Sequence, residues 1–289
     1  MGRRVALIYS LCCLIAWPAT GAAATSRDVL DLVYATVAGK PLALDLHMPQ
    51  DARRPPLVVY VHGGAWAVGN KSEYPAFLVA RGFAVASLDF RSTNDAPFPA
   101  DVHDIKAGIR YLRARATEYG YRSERIAIAG ASSGGHLAAL VGVTNGDRAL
   151  EGTEGDYLGQ SSSIQAIVSY FGASDLTTIL AQSTPHGLSV RVPALKRLLG
   201  SPPDQVPELA KQASPIFHVD HDDPPILLLH GDQDIQMPLN QLYELQWAYE
   251  QAGLHPEVLI LHGVGHVAEP FFTGEPAERV VQFLRRTIG

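Results

Sequence analysis

Four short stretches carry residue types that work together in acyl transfer. Gly130-Ala131-Ser132-Ser133-Gly134 sets a serine between two glycines, and His62-Gly63-Gly64-Ala65-Trp66 offers backbone with little side chain in the way. Gly231-Asp232-Gln233-Asp234 and His262-Gly263-Val264-Gly265-His266 supply carboxylates and imidazoles. A serine hydroxyl is a poor nucleophile until an imidazole takes its proton, and that imidazole works best when a carboxylate holds it in one tautomer. Attack on a carbonyl creates an anionic oxygen that needs donors fixed in advance, each typically worth about 10²–10³ in rate. This chemistry calls for no metal and no cofactor, and neither is expected.

Context sorts the candidates. Ser132 follows the apolar run Arg125 to Ala129 and opens an apolar segment from Ser133 to Val143. Strand, sharp turn and helix form the setting in which a G-x-S-x-G serine stands clear of a sheet as a nucleophile. Ser133 competes but lies off the motif centre, and its N–H is expected to serve as an oxyanion donor. Gly64 and Ala65, just past the run ending at Val61, are expected to supply the other donors. Trp66 is expected to wall the acyl or alcohol pocket; anchoring the loop in the core is the alternative.

Asp234 is preferred over Asp232 as the acid, because Asp232 directly ends a strand where turn hydrogen bonds would use it. His266 is preferred over His262 as the base, because His262 lies closer to its strand. His103, His136, His186 and His218 lack any such setting and read as structural or exposed. Asp89-Phe90-Arg91 reads as a salt bridge or hydrogen bonds behind the glycine loop, and Asp104 as a local partner.

The elements that must place these residues follow from periodicity. Leu30–Val37 and Leu42–Met48 flank Ala38-Gly39-Lys40-Pro41 and predict an antiparallel hairpin. Short apolar runs at 57–61, 83–90, 125–129, 164–171, 225–230 and 257–261 predict buried strands. Between them, Tyr74–Ala80, the face Val102-Ile105-Ile109-Leu112-Ala116, 133–143, 239–252 and 276–286 predict helices. Alternation of this kind predicts a mainly parallel sheet covered on both faces. The stretch Asp175–Asp223 breaks the rhythm. It is expected to be a cap or substrate-loop insertion, helical near Leu195–Leu199 and Glu208–Gln212.

Composition narrows the classes. The chain has 289 residues, 47% hydrophobic and 18% charged, which suits one large α/β domain. A net charge of −6 argues against a nucleic-acid partner. Arg3 and Arg4, the uncharged run Val5–Trp17 and the site Ala22-Ala23-Ala24 predict a signal peptide over 1–24, with 25–289 as the α/β domain. That run is short for a membrane span, so no stable insertion is expected. The two cysteines, Cys12 and Cys13, lie inside this segment, so the remainder can form no disulfide and use no cysteine nucleophile.

Taken in order with Gly135-His136-Leu137 and Asp175-Leu176, the four stretches resemble α/β-hydrolases of the hormone-sensitive-lipase and carboxylesterase type. Within that group they are more similar to the bacterial bifunctional feruloyl and acetyl xylan esterases. The resemblance runs from about Val29 to the C-terminus. It implies the α/β-hydrolase fold, Ser132, Asp234 and His266 as the catalytic triad, and an oxyanion hole at Gly64. Two positions depart from the pattern: Ala65 replaces a third glycine, and Ser133 stands where alanine is common. The resemblance implies a serine esterase acting on small or polysaccharide-linked esters, acetyl or feruloyl among them, and the predicted signal peptide implies that it is secreted or periplasmic. A formamidase-like amide hydrolase shares a His-Gly-Gly-x-Trp motif and is the alternative. A non-catalytic binding protein on this scaffold is disfavoured, because all three triad residues are present.

Overall fold

The computed structural model describes residues 26–289. The expected signal peptide and both cysteines lie outside the described residues.

Eight strands form one sheet: β1 (Ser26–Val37), β2 (Lys40–Pro49), β3 (Pro56–Val61), β4 (Ala84–Leu88), β5 (Arg122–Ala131), β6 (Ala166–Tyr170), β7 (Ile226–Gly231) and β8 (Glu257–Leu261). Their spatial order is β1-β2-β4-β3-β5-β6-β7-β8. β1 pairs antiparallel with β2, and β2 antiparallel with β4; every other pairing is parallel. This is the expected α/β-hydrolase architecture with its N-terminal hairpin.

The parallel strands read as unbroken apolar runs because both faces are covered. Side chains alternate across the sheet: Leu57, Val59 and Val61 enter one core, while Val58 and Tyr60 enter the other. The second core is closed by α1 (Ala76–Ala80) and by Val280, Phe283 and Leu284 near the C-terminus. The first is closed by α2 (Ala100–Tyr119), whose Val102, Ile105, Ile109 and Leu112 form the expected stripe, and by α3 (Ser133–Val143).

Between Asp175 and Asp223 the chain forms α4 (Ile179–Gln182), α5 (Pro185–Leu199) and α6 (Pro207–Gln212). α5 begins ten residues before the helix expected at Leu195. Gly187 and the internal Pro193 mask it in the sequence, since both are poor helix formers. Thr184 caps it by accepting the Gly187 N–H at 3.0 Å, with Pro185 at the first helical position. Burial of Ala194, Leu195, Leu198 and Leu199 then outweighs local propensity. α7 (Asn240–Gln251) and α8 (Gly274–Ile288) complete the fold. Among the described residues, no helix is long and apolar enough to cross a membrane.

Because β3, β5, β6, β7 and β8 run parallel, their C-terminal ends share one edge. Ligands bind at that edge in open α/β sheets. The four motif stretches all emerge there.

Candidate active site

Ser132 occupies the turn between β5 and α3 with φ +57° and ψ −121°. A non-glycine residue in this region is strained by about 1–3 kcal/mol and persists only when its surroundings over-determine it. Here the Ser132 N–H donates to the Tyr170 carbonyl at 2.9 Å, and the Ser132 carbonyl accepts from His136 N–H at 3.0 Å. Close packing also requires the absence of side chains. A Cβ on Gly134 would strike the Val61 and His62 carbonyls, so only glycine lets α3 seat against the end of β3.

The structure brings Ser132, His266 and Asp234 together. His266 Nε2 lies 2.9 Å from Ser132 Oγ, and His266 Nδ1 lies 2.6 Å from Asp234 Oδ2. The Asp234 carboxylate is fully buried. Its second oxygen, Oδ1, accepts the N–H groups of Gln236 at 2.8 Å and Met237 at 2.7 Å. Burial opposes ionisation of Asp234, but hydrogen bonds from His230 and His266, the His266 charge and the Met237 N–H outweigh it. They hold the carboxyl well below the usual carboxylate range. An acceptor-only Asp234 fixes the proton on His266 Nδ1 and leaves Nε2 free to take the serine proton. The Phe171 ring meets His266 edge-on at 4.8 Å between centroids.

His230 heads the stretch that carries Asp234, and no role for it follows from the sequence. Its buried Nε2 stands 3.1 Å from the Met237 carbonyl and 3.3 Å from Asp234 Oδ2. The position of His230 just before Gly231-Asp232-Gln233-Asp234 was visible, but its facing partner depends on the loop folding back on itself.

The competing residues pair with each other. His262 Nδ1 is 2.7 Å from Asp232 Oδ2, and Asp232 Oδ1 accepts the Gly263 N–H at 2.8 Å. This joins the β7 and β8 loops beside the Asp234–His266 pair. The backbone adds Gln233 N–H to Val264 carbonyl at 2.9 Å and Asp232 N–H to Leu261 carbonyl at 3.1 Å.

The loop after β3 lies against the serine turn; a Cβ on Gly63 would come within 2.9 Å of the Ala131 carbonyl oxygen. Gly64, Ala65 and Trp66 have φ values of +112°, +52° and +59°. The hydrogen bonds of the described residues leave the N–H groups of Gly64, Ala65 and Ser133 without a protein acceptor. Ser133 is the first residue of α3, where the N–H has no partner within the helix and the dipole favours negative charge.

Trp66 is placed as a pin and not as an open wall. It is 2% exposed, and its Nε1 donates to His136 Nδ1 at 3.0 Å. The backbone behind the loop follows the expectation for Asp89-Phe90-Arg91. Arg91 meets Asp104 with Nη2 2.7 Å from Oδ1 and Nε 2.9 Å from Oδ2, and also meets Glu154 at 2.9 Å. Thr93 N–H then reaches the Trp66 carbonyl at 2.8 Å, and Asn94 Nδ2 reaches the Ala67 carbonyl at 2.9 Å.

Among the described residues, Asp220, His221 and Asp222 bring metal-ligating atoms close together, all on the exposed surface and none in the Ser132 site.

The BD-FAE family model matches residues 44–249. Esterase LipC of Mycobacterium tuberculosis is 33% identical over 191 residues, covering 64% of this chain and 46% of LipC. A truncated carbohydrate esterase from gut microbiota superposes with a TM-score of 0.84 at 31% identity, covering 92% of this chain and 98% of that one. A bifunctional GH43-CE protein from Bacteroides eggerthii superposes with a TM-score of 0.80 at 33% identity, covering 91% of this chain and 38% of that one. The chain spans about half the length of the curated relatives it matches.

Proposed function

The chain belongs to the BD-FAE family of α/β-hydrolase esterases, and from that membership we propose that it is a serine carboxylic-ester hydrolase working through an acyl-enzyme on Ser132. The observation that carries the proposal is the continuous relay from Asp234 through His266 to Ser132, at 2.6 and 2.9 Å. His266 Nε2 takes the hydroxyl proton as Ser132 Oγ attacks the ester carbonyl. The oxyanion is held by the N–H groups of Gly64, Ala65 and Ser133. His266 returns its proton to the departing alcohol. It then activates water, which releases the acid and restores the serine. Asp234 stays ionised throughout and steadies the imidazolium.

Acetyl or feruloyl esters on plant polysaccharide are the proposed substrates. Support comes from the two structural neighbours, one a carbohydrate esterase and one a bifunctional GH43-CE protein. Export through the segment 1–24 would bring the enzyme to such material outside the cytoplasm. The segment 175–223 is proposed as the substrate-side cover. It leans on the acid loop: Thr184 Oγ1 donates to the Ile235 carbonyl at 2.5 Å, and Arg191 Nη2 donates to the Gln236 carbonyl.

Incubation with acetylated and feruloylated xylan tests the substrate class. Release of acetate or ferulate is expected, and it should vanish in Ser132→Ala. Turnover of short synthetic esters with neither product released would rule the polysaccharide substrates out. Hydrolysis of p-nitrophenyl acetate that survives in Ser132→Ala would overturn the acyl-enzyme itself.

A further inference from the structure

We infer that His136 is a positioning residue for the oxyanion loop, acting through the Trp66 indole and tying that loop to the segment 175–223; this rests on the hydrolase reading above. His136 lies one turn into α3, and both its ring nitrogens are engaged. Nε2 is 2.7 Å from the Ala213 carbonyl, and Nδ1 is 3.0 Å from Trp66 Nε1.

The chemistry of the partners fixes the ring. A carbonyl can only accept, so Nε2 carries the hydrogen. An indole N–H can only donate, so Nδ1 must be the lone-pair nitrogen. One neutral tautomer satisfies both contacts. Burial favours that form, pushing the imidazole down to about 4 against the opposing hydrogen bond to Ala213. Among the described residues no charged side chain shifts the ring; burial lowers it and the Ala213 carbonyl opposes. The ring is fully buried and meets the indole edge-on, with 5.2 Å between centroids.

Three parts of the site converge on this ring. The His136 N–H holds the Ser132 carbonyl at 3.0 Å, Trp66 ends the oxyanion loop, and Ala213 belongs to the segment 175–223. Ala65 and Trp66 sit at φ +52° and +59°, a conformation that L-residues keep only when their surroundings impose it. The Ala67 and Val68 N–H groups close the turn on the Gly64 carbonyl at 3.0 and 3.1 Å, and the indole bond and the Thr93 N–H on the Trp66 carbonyl anchor it from outside. Releasing the indole lets the loop relax. The N–H groups of Gly64 and Ala65 then drift from the oxyanion, whose charge develops in the transition state and not in the bound ester. The loss therefore falls on kcat and spares KM.

Two histidine variants separate the contacts. Asparagine places an oxygen near the Nδ1 position and retains an acceptor for Trp66. Glutamine places its amide nitrogen near the Nε2 position and retains the donor to Ala213. On p-nitrophenyl acetate, per site titrated with a fluorophosphonate, H136Q and W66F should each lower kcat by about 10–100-fold, with KM within about twofold. H136N should keep most of kcat, and the W66F/H136Q double variant should be no slower than W66F alone. Replacing Trp66 by 3-benzothienylalanine, which exchanges the N–H for sulfur at nearly constant shape, carries the same expectation if the other variants fail to fold. Variants that lose thermal stability but keep kcat per titrated site would overturn the inference, as would equal losses in H136N and H136Q. A wild-type protein that takes no label and turns over no ester would instead contradict the hydrolase reading.

Discussion

Two histidine–carboxylate pairs bridge the same two loops, and one of them can do chemistry. Asp234–His266 and Asp232–His262 have nearly equal Nδ1–Oδ2 distances, 2.6 and 2.7 Å. Their surroundings differ. The Asp234 and His266 side chains are 0% and 14% exposed, whereas those of Asp232 and His262 are 26% and 87% exposed. Asp234 also accepts two backbone N–H groups, and the far nitrogen of His266 faces a serine oxygen. No hydrogen bond from a nucleophile reaches the far nitrogen of His262 among the described residues. A hydrogen-bonded pair by itself is a loop clasp. On the proposed mechanism, burial, a saturated carboxylate and a hydroxyl at the other nitrogen turn it into a proton relay.

Substitutions can sharpen or break that contrast. The largest effect is expected from His266→Ala, which should lower kcat for p-nitrophenyl acetate by roughly 10⁴–10⁶. His262→Ala, assayed beside it, should leave kcat unchanged within error. A comparable loss in both variants would erase the distinction between the pairs. Next comes Asp234→Asn, which should lower kcat by roughly 10⁴, because the amide favours the wrong tautomer of His266. Asp232→Asn in the same assay should retain nearly full activity.

Acid unfolding gives a smaller, signed effect. The Asp234 carboxyl is depressed in the folded state, because hydrogen bonds to its ionised form outweigh its burial. Its contribution is therefore present above the unfolded value near pH ~4 and is lost as pH falls toward the folded value. Urea titrations between pH 6 and 3 should show wild type losing stability on acidification through a term that Asp234→Asn lacks. Parallel curves for the two proteins would contradict the assignment. The smallest effect belongs to the exposed clasp. His262→Ala should barely move the unfolding midpoint, and what shift there is should shrink in high salt.

Much of this was legible in the sequence, and the illegible part has a physical character. The strand at Leu57–Val61 and the stripe from Val102 to Ala116 were readable because burial on a face imposes a period. The serine turn was readable because its glycines, strand and helix are contiguous. The preference of Asp234 over Asp232 rests on distance to the strand end, a local argument; in the structure Asp234 faces His266 and Asp232 faces His262. What could not be read depends on contacts across the chain. The partners of His136 are Trp66, 70 residues away, and Ala213, 77 residues away. The role of Trp66 as a buried pin follows from the first of these. α5 was hidden for the opposite reason: its local residues disfavour the helix that tertiary burial selects.

The central claim is that the relay from Asp234 through His266 makes the oxygen of Ser132 reactive. Acid quenching during turnover of p-nitrophenyl acetate, followed by peptide mass spectrometry, tests it most directly. The account predicts an acetyl group on Ser132 in the wild type and none in His266→Ala. Acetate released at full rate with no acetyl on Ser132, or with the acetyl on Ser133, would contradict it.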